Sequence, residues 1–150
     1  MITTLPRKPR RFPTKKSRSS DVYGASYSRS TAQYPSESSI VEQQREIALK
    51  ANQDCVIIPD DYQFVDTGVS GTPHHRGGLD ALLLAARFAR FRVLYLQDLT
   101  RLSRDLTMLI SIIEELVFHH DVRVVSIQDG FDTSAPGWGR HTALLRPRHD

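Results

Sequence analysis

A chain of 150 residues, 39% apolar and 25% charged, has the composition of one soluble globular domain with room for a real core. Its single cysteine excludes an intramolecular disulfide, and no run approaches the ~18 apolar residues of a membrane helix. The basic N-terminus has no apolar segment behind it, so it does not read as a secretory signal and a cytoplasmic protein is expected.

The net charge of +3 combines two unlike parts. Residues 1–20 hold seven Lys/Arg and no acid, whereas the rest of the chain holds 13 Lys/Arg against 17 Asp/Glu. The basic pI therefore belongs to a tail. With Pro6, Pro9 and Pro13 and no apolar pattern, residues 1–20 read as a disordered arm. Arg7, Lys8, Arg10, Arg11, Lys15 and Lys16 are its candidate contacts to nucleic acid, against the alternative of a solubilising extension.

Val22 to Arg29 reads as the first strand, running into Ser26-Tyr27-Ser28-Arg29-Ser30-Thr31. Ser39 with Glu42 three residues later reads as the capping box of a helix whose apolar face is Ile40, Ile47, Ala48 and Ala51. Cys55–Ile58 and Tyr62–Val65 are β-prone runs split by Pro59-Asp60-Asp61, and Cys55 is expected to be a small buried hydrophobe. A loop through Gly68-Val69-Ser70-Gly71-Thr72-Pro73 leads to a helix from about Gly78 to Arg90. Val93–Leu96 is a continuous apolar strand suited to the middle of a parallel sheet. A third helix spans about Asp105 to His119, with Leu106, Leu109, Ile110, Ile113, Leu116 and Val117 as its core stripe. Val122–Ile127 is a further strand. Alternating strands and helices predict an α/β fold with a mainly parallel central sheet flanked by helices. Residues 1–20 form a tail, 21–136 the domain, and 137–150 an irregular C-terminus.

Three clusters follow β-prone runs: Tyr27-Ser28-Arg29, Gly68-Val69-Ser70-Gly71 with Arg76-Gly77-Gly78-Leu79, and Thr100-Arg101-Leu102-Ser103-Arg104. Parallel strands end on one edge of a sheet, so Arg29, Arg76, Arg101 and Arg104 are expected to converge there. Arginines on one rim with hydroxyls beside them suit a phosphodiester. No Gly-x-Gly-x-x-Gly or Walker-type loop is present, which argues against a nucleotide-binding domain. His74-His75 and His119-His120 are adjacent pairs without metal-ligand spacing.

These clusters, with Ser39-Ile40-Val41-Glu42-Gln43 and Asp129-Gly130-Phe131-Asp132-Thr133-Ser134, resemble the catalytic domain of the serine recombinases, the resolvase/invertase family, from about Val22 to Arg140. The resemblance implies a resolvase-like three-layer domain that recombines DNA at specific sites. It implies attack of a serine hydroxyl on a phosphodiester, a 5′-phosphoserine link, and no metal or other cofactor. It also implies DNA as partner and assembly as a homodimer or tetramer. Arg29, Arg76, Arg101 and Arg104 fall on the family's catalytic arginine positions and Gln43 on its supporting polar position.

The sequence departs from the family in three places. The nucleophile belongs two residues after the strand-end arginine, which is Thr31 by register, while Ser30 is the better match by chemistry. Both remain candidates. The family's aspartate before the first arginine of the post-strand motif is here Thr100, and Asp98 is expected to orient Arg101 instead. Nothing after Arg140 resembles the family's long helix or DNA-binding domain. The alternative expectation is therefore a truncated, inactive remnant that binds DNA weakly and assembles poorly.

Overall fold

The computed structural model describes residues 21–31, 38–68 and 76–138. The basic arm, the loop of residues 69–75 and the C-terminal residues 139–150 lie outside the described residues.

The chain runs β1 (Val22–Thr31), α1 (Ile40–Gln53), β2 (Val56–Ile57), a 3-10 turn (Asp60–Tyr62), β3 (Gln63–Gly68) and α2 (Gly77–Arg87). It continues with β4 (Val93–Leu96), a 3-10 turn (Leu99–Arg101), α3 (Leu106–Glu114), a π turn (Glu115–His119), β5 (Arg123–Ser126) and β6 (Phe131–Asp132). The sheet has the order β2-β1-β4-β5-β6, with β3 also paired to β1. All pairings are parallel except that of β5 with β6.

Strand alternation assigns β1 to both sides of the sheet. Ala25 and Tyr27 join Leu79 and Leu82 of α2 and Leu109 and Ile113 of α3 in the larger core cluster. On the opposite face Ile47 and Ala51 of α1 pack on Val56, Val93, Tyr95 and Val125. The expected three layers are therefore present, with β1 and β4 at the centre.

The structure corrects several local expectations. Ala48 is exposed, and Gln43 is buried with Ile47 and Ala51 on the inner face of α1. Leu106 is 43% exposed at the first turn of α3, so the core stripe starts at Leu109. Cys55 is exposed rather than buried. It takes a left-handed backbone (φ 59°) immediately after α1, where the chain must reverse out of the helix. Tyr62 lies in the 3-10 turn and not in a strand, although its ring is buried in the core. α2 stops at Arg87 instead of Arg90. The two-residue β6 was not expected, being too short to show a period.

A polar tie crosses the α1 face. Tyr95 donates its hydroxyl to Asp54 Oδ2 at 2.7 Å, at the end of α1. Arg123 of β5 makes a two-pronged pair with Asp132 of β6, Nε to Oδ1 at 3.0 Å and Nη2 to Oδ2 at 2.8 Å. The Arg123 hydrogen bonds hold the Asp132 carboxyl well below the usual carboxylate range. Burial, with Asp54 and its hydrogen bond, pushes the Tyr95 phenol well above its ordinary value.

The signs predict stability lost on both pH flanks. Asp132 is easier to ionise folded than unfolded. Its contribution is complete above the ordinary carboxyl value of about 4 and disappears as pH falls below it. Tyr95 is harder to ionise folded, so its contribution is complete below about pH 10 and disappears above. Thermal melts across pH should show Asp132→Asn flattening the acid flank and Tyr95→Phe the alkaline flank. Unchanged flanks in both variants would remove the tie as the cause.

Candidate active site at the carboxyl ends of β1 and β4

β1 pairs with β3 as far as Thr31 but with β4 only as far as Tyr27. The last four residues of β1 thus project past β4 with one open edge, whose backbone groups need partners. Side chains supply them. Gln43, fully buried, accepts from the Arg29 N–H at 3.1 Å and donates to the Arg29 carbonyl at 2.9 Å and the Ser38 carbonyl at 3.0 Å. The amide of Gln43 continues the ladder where β4 has ended. Arg101 Nη1 also donates to the Arg29 carbonyl, at 2.7 Å.

The 3-10 turn after β4 gathers the arginines. Arg29 donates through Nε to the Arg101 carbonyl at 2.9 Å and through Nη2 to the Thr100 carbonyl at 2.8 Å. Arg76 donates to the Leu102 carbonyl at 2.5 Å, the Arg101 carbonyl at 2.8 Å and the Tyr27 hydroxyl at 2.8 Å, with its guanidinium over the Tyr27 ring. Arg101 is 3% exposed. Two guanidinium groups, those of Arg29 and Arg76, thus meet on the carbonyls of residues 100–102, and the Arg101 guanidinium reaches back to the Arg29 carbonyl. Arg104 is exposed, on the segment between this turn and α3.

The hydroxyls are sorted by strand register. Arg29, Ser30 and Thr31 pair in step with Asp66, Thr67 and Gly68, without a bulge. Ser30 therefore lies on the α1 face of the sheet, and Thr31 shares the face of Tyr27 and Arg29. No local bend brings Ser30 across. The Thr31 Oγ1 is buried and has no hydrogen-bond partner among the described residues. A Cβ at Gly68 would lie 3.0 Å from the Thr31 methyl, so glycine is the residue that leaves room for it.

Two residues of the site escaped the sequence reading, Asp66 and the hydroxyl of Tyr27. Asp66 Oδ1 accepts from the Gly78 N–H at 2.7 Å, and Oδ2 accepts from the Leu79 N–H at 2.9 Å. The first N–H groups of α2, which no side chain at the helix's own N-cap serves, are thereby capped from β3. Oδ2 also accepts from the Tyr27 hydroxyl at 2.7 Å. Burial pushes that phenol well above its ordinary value, so it remains a donor to Asp66 while accepting from Arg76. The helix comes so close that a Cβ at Gly78 would stand 2.5 Å from the Val65 carbonyl, which is why position 78 is a glycine. An aspartate two residues before the Gly68 loop was the one available signal, and its capping partners lie 12 and 13 residues onward.

None of the curated proteins matches the chain. Among solved structures, the chain is similar to the N-terminal catalytic domain of TP901-1 integrase (TM-score 0.70, 21% identity, covering 82% of this chain and 90% of that one). It is also similar to a resolvase family site-specific recombinase from Streptococcus pneumoniae (TM-score 0.69, 17% identity, covering 83% of each). At these identities the likeness is one of fold, a mainly parallel sheet between helices. The family model described as "Resolvase, N terminal domain" matches residues 25–146, most of the sequence, and the chain therefore belongs to the resolvase N-terminal domain family.

Proposed function

We propose that this domain cuts and rejoins DNA strands by attack of a β1 hydroxyl on a phosphodiester held by Arg29, Arg76, Arg101 and Arg104. The observation that carries the reading is the interlocked arginine group at the end of β1 with a buried hydroxyl, Thr31 Oγ1, that has no hydrogen-bond partner among the described residues. Anchoring the guanidiniums to backbone carbonyls orients them before substrate arrives, and preorganised cations stabilise charge that develops on phosphoryl oxygens. Gln43 positions the strand that carries the nucleophile. Arg7, Lys8, Arg10, Arg11, Lys15 and Lys16 add contacts to the DNA backbone through charge alone.

The register favours Thr31 as nucleophile over Ser30. Its oxygen forms a bond to phosphorus and loses its proton, and the bond from phosphorus to the 3′ oxygen breaks, that oxygen gaining a proton. The DNA 5′ end becomes a phosphothreonine ester (a phosphoserine ester if Ser30 attacks). The bond energy is retained in the ester, so a 3′ hydroxyl from another strand can reverse the step.

The test is a denaturing gel for covalent protein–DNA adduct on a nicked duplex that cannot religate. The adduct should persist in Ser30→Ala and Thr31→Ser and vanish in Thr31→Ala. Loss in Ser30→Ala alone would move the nucleophile to Ser30. Adduct in both alanine variants, or none from the unaltered chain, would overturn the reading, the latter in favour of a non-catalytic remnant.

A further inference from the structure

Arg101 is a cation with only 3% of its surface exposed, and such a group needs a carboxylate nearby. Thr100, immediately before it, carries no charge. The structure assigns that task to a two-residue relay, Thr100 and Asp98, which we infer to be positioning residues for Arg101. The inference rests on the reading of Arg101 as a phosphate-binding residue.

The geometry of the relay is closed on itself. Arg101 Nη2 donates to Thr100 Oγ1 at 3.0 Å. Thr100 Oγ1 in turn donates to Asp98 Oδ1 in a short hydrogen bond, and the Thr100 N–H donates to the same oxygen at 3.0 Å. Arg101 Nε lies 3.5 Å from Asp98 Oδ1, within ion-pair range. One carboxylate oxygen therefore accepts from a backbone N–H and a hydroxyl, with the guanidinium at ion-pair distance from it. The threonine hydroxyl is oriented by this: its proton goes to Asp98, so its lone pair faces Arg101. The turn itself is anchored from the other side, where the Leu99 N–H donates to Asp129 Oδ2 at 2.8 Å and Ser126 Oγ to the same oxygen at 2.5 Å. Arg101 Nη1 donates to the Arg29 carbonyl. Any slackening of the relay is thus transmitted to the end of β1, where the nucleophile sits.

A purely structural role is the competing account, since Asp98 is also the N-cap of the 3-10 turn. Asp98→Asn separates the two. Asparagine caps a turn about as well as aspartate but brings no charge to Arg101. If the relay operates, Asp98→Asn lowers the melting temperature, because buried Arg101 loses its carboxylate, yet leaves the domain folded at the assay temperature and slows adduct formation on the order of 10- to 100-fold, the scale of a displaced catalytic group. Thr100→Val, which deletes the middle oxygen, does the same. Thr100→Asp in the Asp98→Asn background places a carboxylate directly beside Arg101 and recovers most of the lost rate, which a capping role does not foresee. A second readout needs no activity. The Arg101 Nε–H resonance, identified by its absence in Arg101→Lys, should exchange with solvent faster in Asp98→Asn. If the unaltered chain forms no adduct, the strand-cleavage reading fails while the exchange measurement still judges the relay. Wild-type exchange and wild-type adduct formation in Asp98→Asn would overturn it.

Discussion

Arg76→Ala lowers the rate of adduct formation on the order of 10²- to 10³-fold while the domain stays folded. The size follows from what removing a single preorganised donor costs in other sites that stabilise developing charge. The fold survives because the arginine bridges elements that are held by other means. Tyr27 keeps its hydrogen bond to Asp66, and α2 keeps its cap from the same carboxylate. The Arg101 and Leu102 carbonyls and the Tyr27 hydroxyl oxygen each lose one donor. Arg76→Lys should restore little. A lysine has one ammonium and no planar fork, so it cannot reach two carbonyls and a phenol oxygen at once while facing a phosphate. Single-turnover adduct formation, with circular dichroism as the control for folding, decides the matter. A rate close to that of the unaltered chain would remove Arg76 from the site.

Asp66→Ala has the largest expected effect on stability, about 2–4 kcal/mol, or a fall of roughly 10 °C in melting temperature. The carboxylate satisfies three donors at once, the Gly78 and Leu79 N–H groups and the Tyr27 hydroxyl. Alanine leaves the first turn of α2 without its cap and a buried phenol without its acceptor. Because Arg76 sits directly before α2, loosening that turn also loosens the arginine, so adduct formation should fall alongside stability. Asp66→Asn keeps an acceptor oxygen and should lose about half as much. Chemical denaturation of the three proteins provides the comparison. An alanine variant as stable as the unaltered chain would mean that solvent replaces the carboxylate.

The local pattern of residues determined a good deal. A fully apolar Val93–Leu96 had to be a central strand, and Ser39 with Glu42 had to open a helix; the Glu42 N–H does donate to Ser39 Oγ at 3.1 Å. The placing of arginines after β-prone runs was enough to bring Arg29, Arg76 and Arg101 to one sheet edge. Such features are written in side-chain polarity at short range, and short-range polarity is what a sequence displays.

What the tertiary structure alone decided has a common physical origin: the partners are backbone groups far away in the chain. Arg29 is anchored on carbonyls 71 and 72 residues onward, and a carbonyl leaves no mark in the sequence. The family resemblance singles out Gln43 as a supporting polar residue, but what it supports shows only once β1 is seen to outrun β4 and leave Arg29 with an open edge. Asp66 caps a helix it does not belong to. The choice between Ser30 and Thr31 is the sharpest case. Residue types favour one and register the other. Only the step-by-step pairing of β1 with β3, with no bulge between Arg29 and Thr31, shows which hydroxyl shares the arginine face. In a strand a shift of one residue exchanges the faces, so that question belongs to the sheet and not to the sequence.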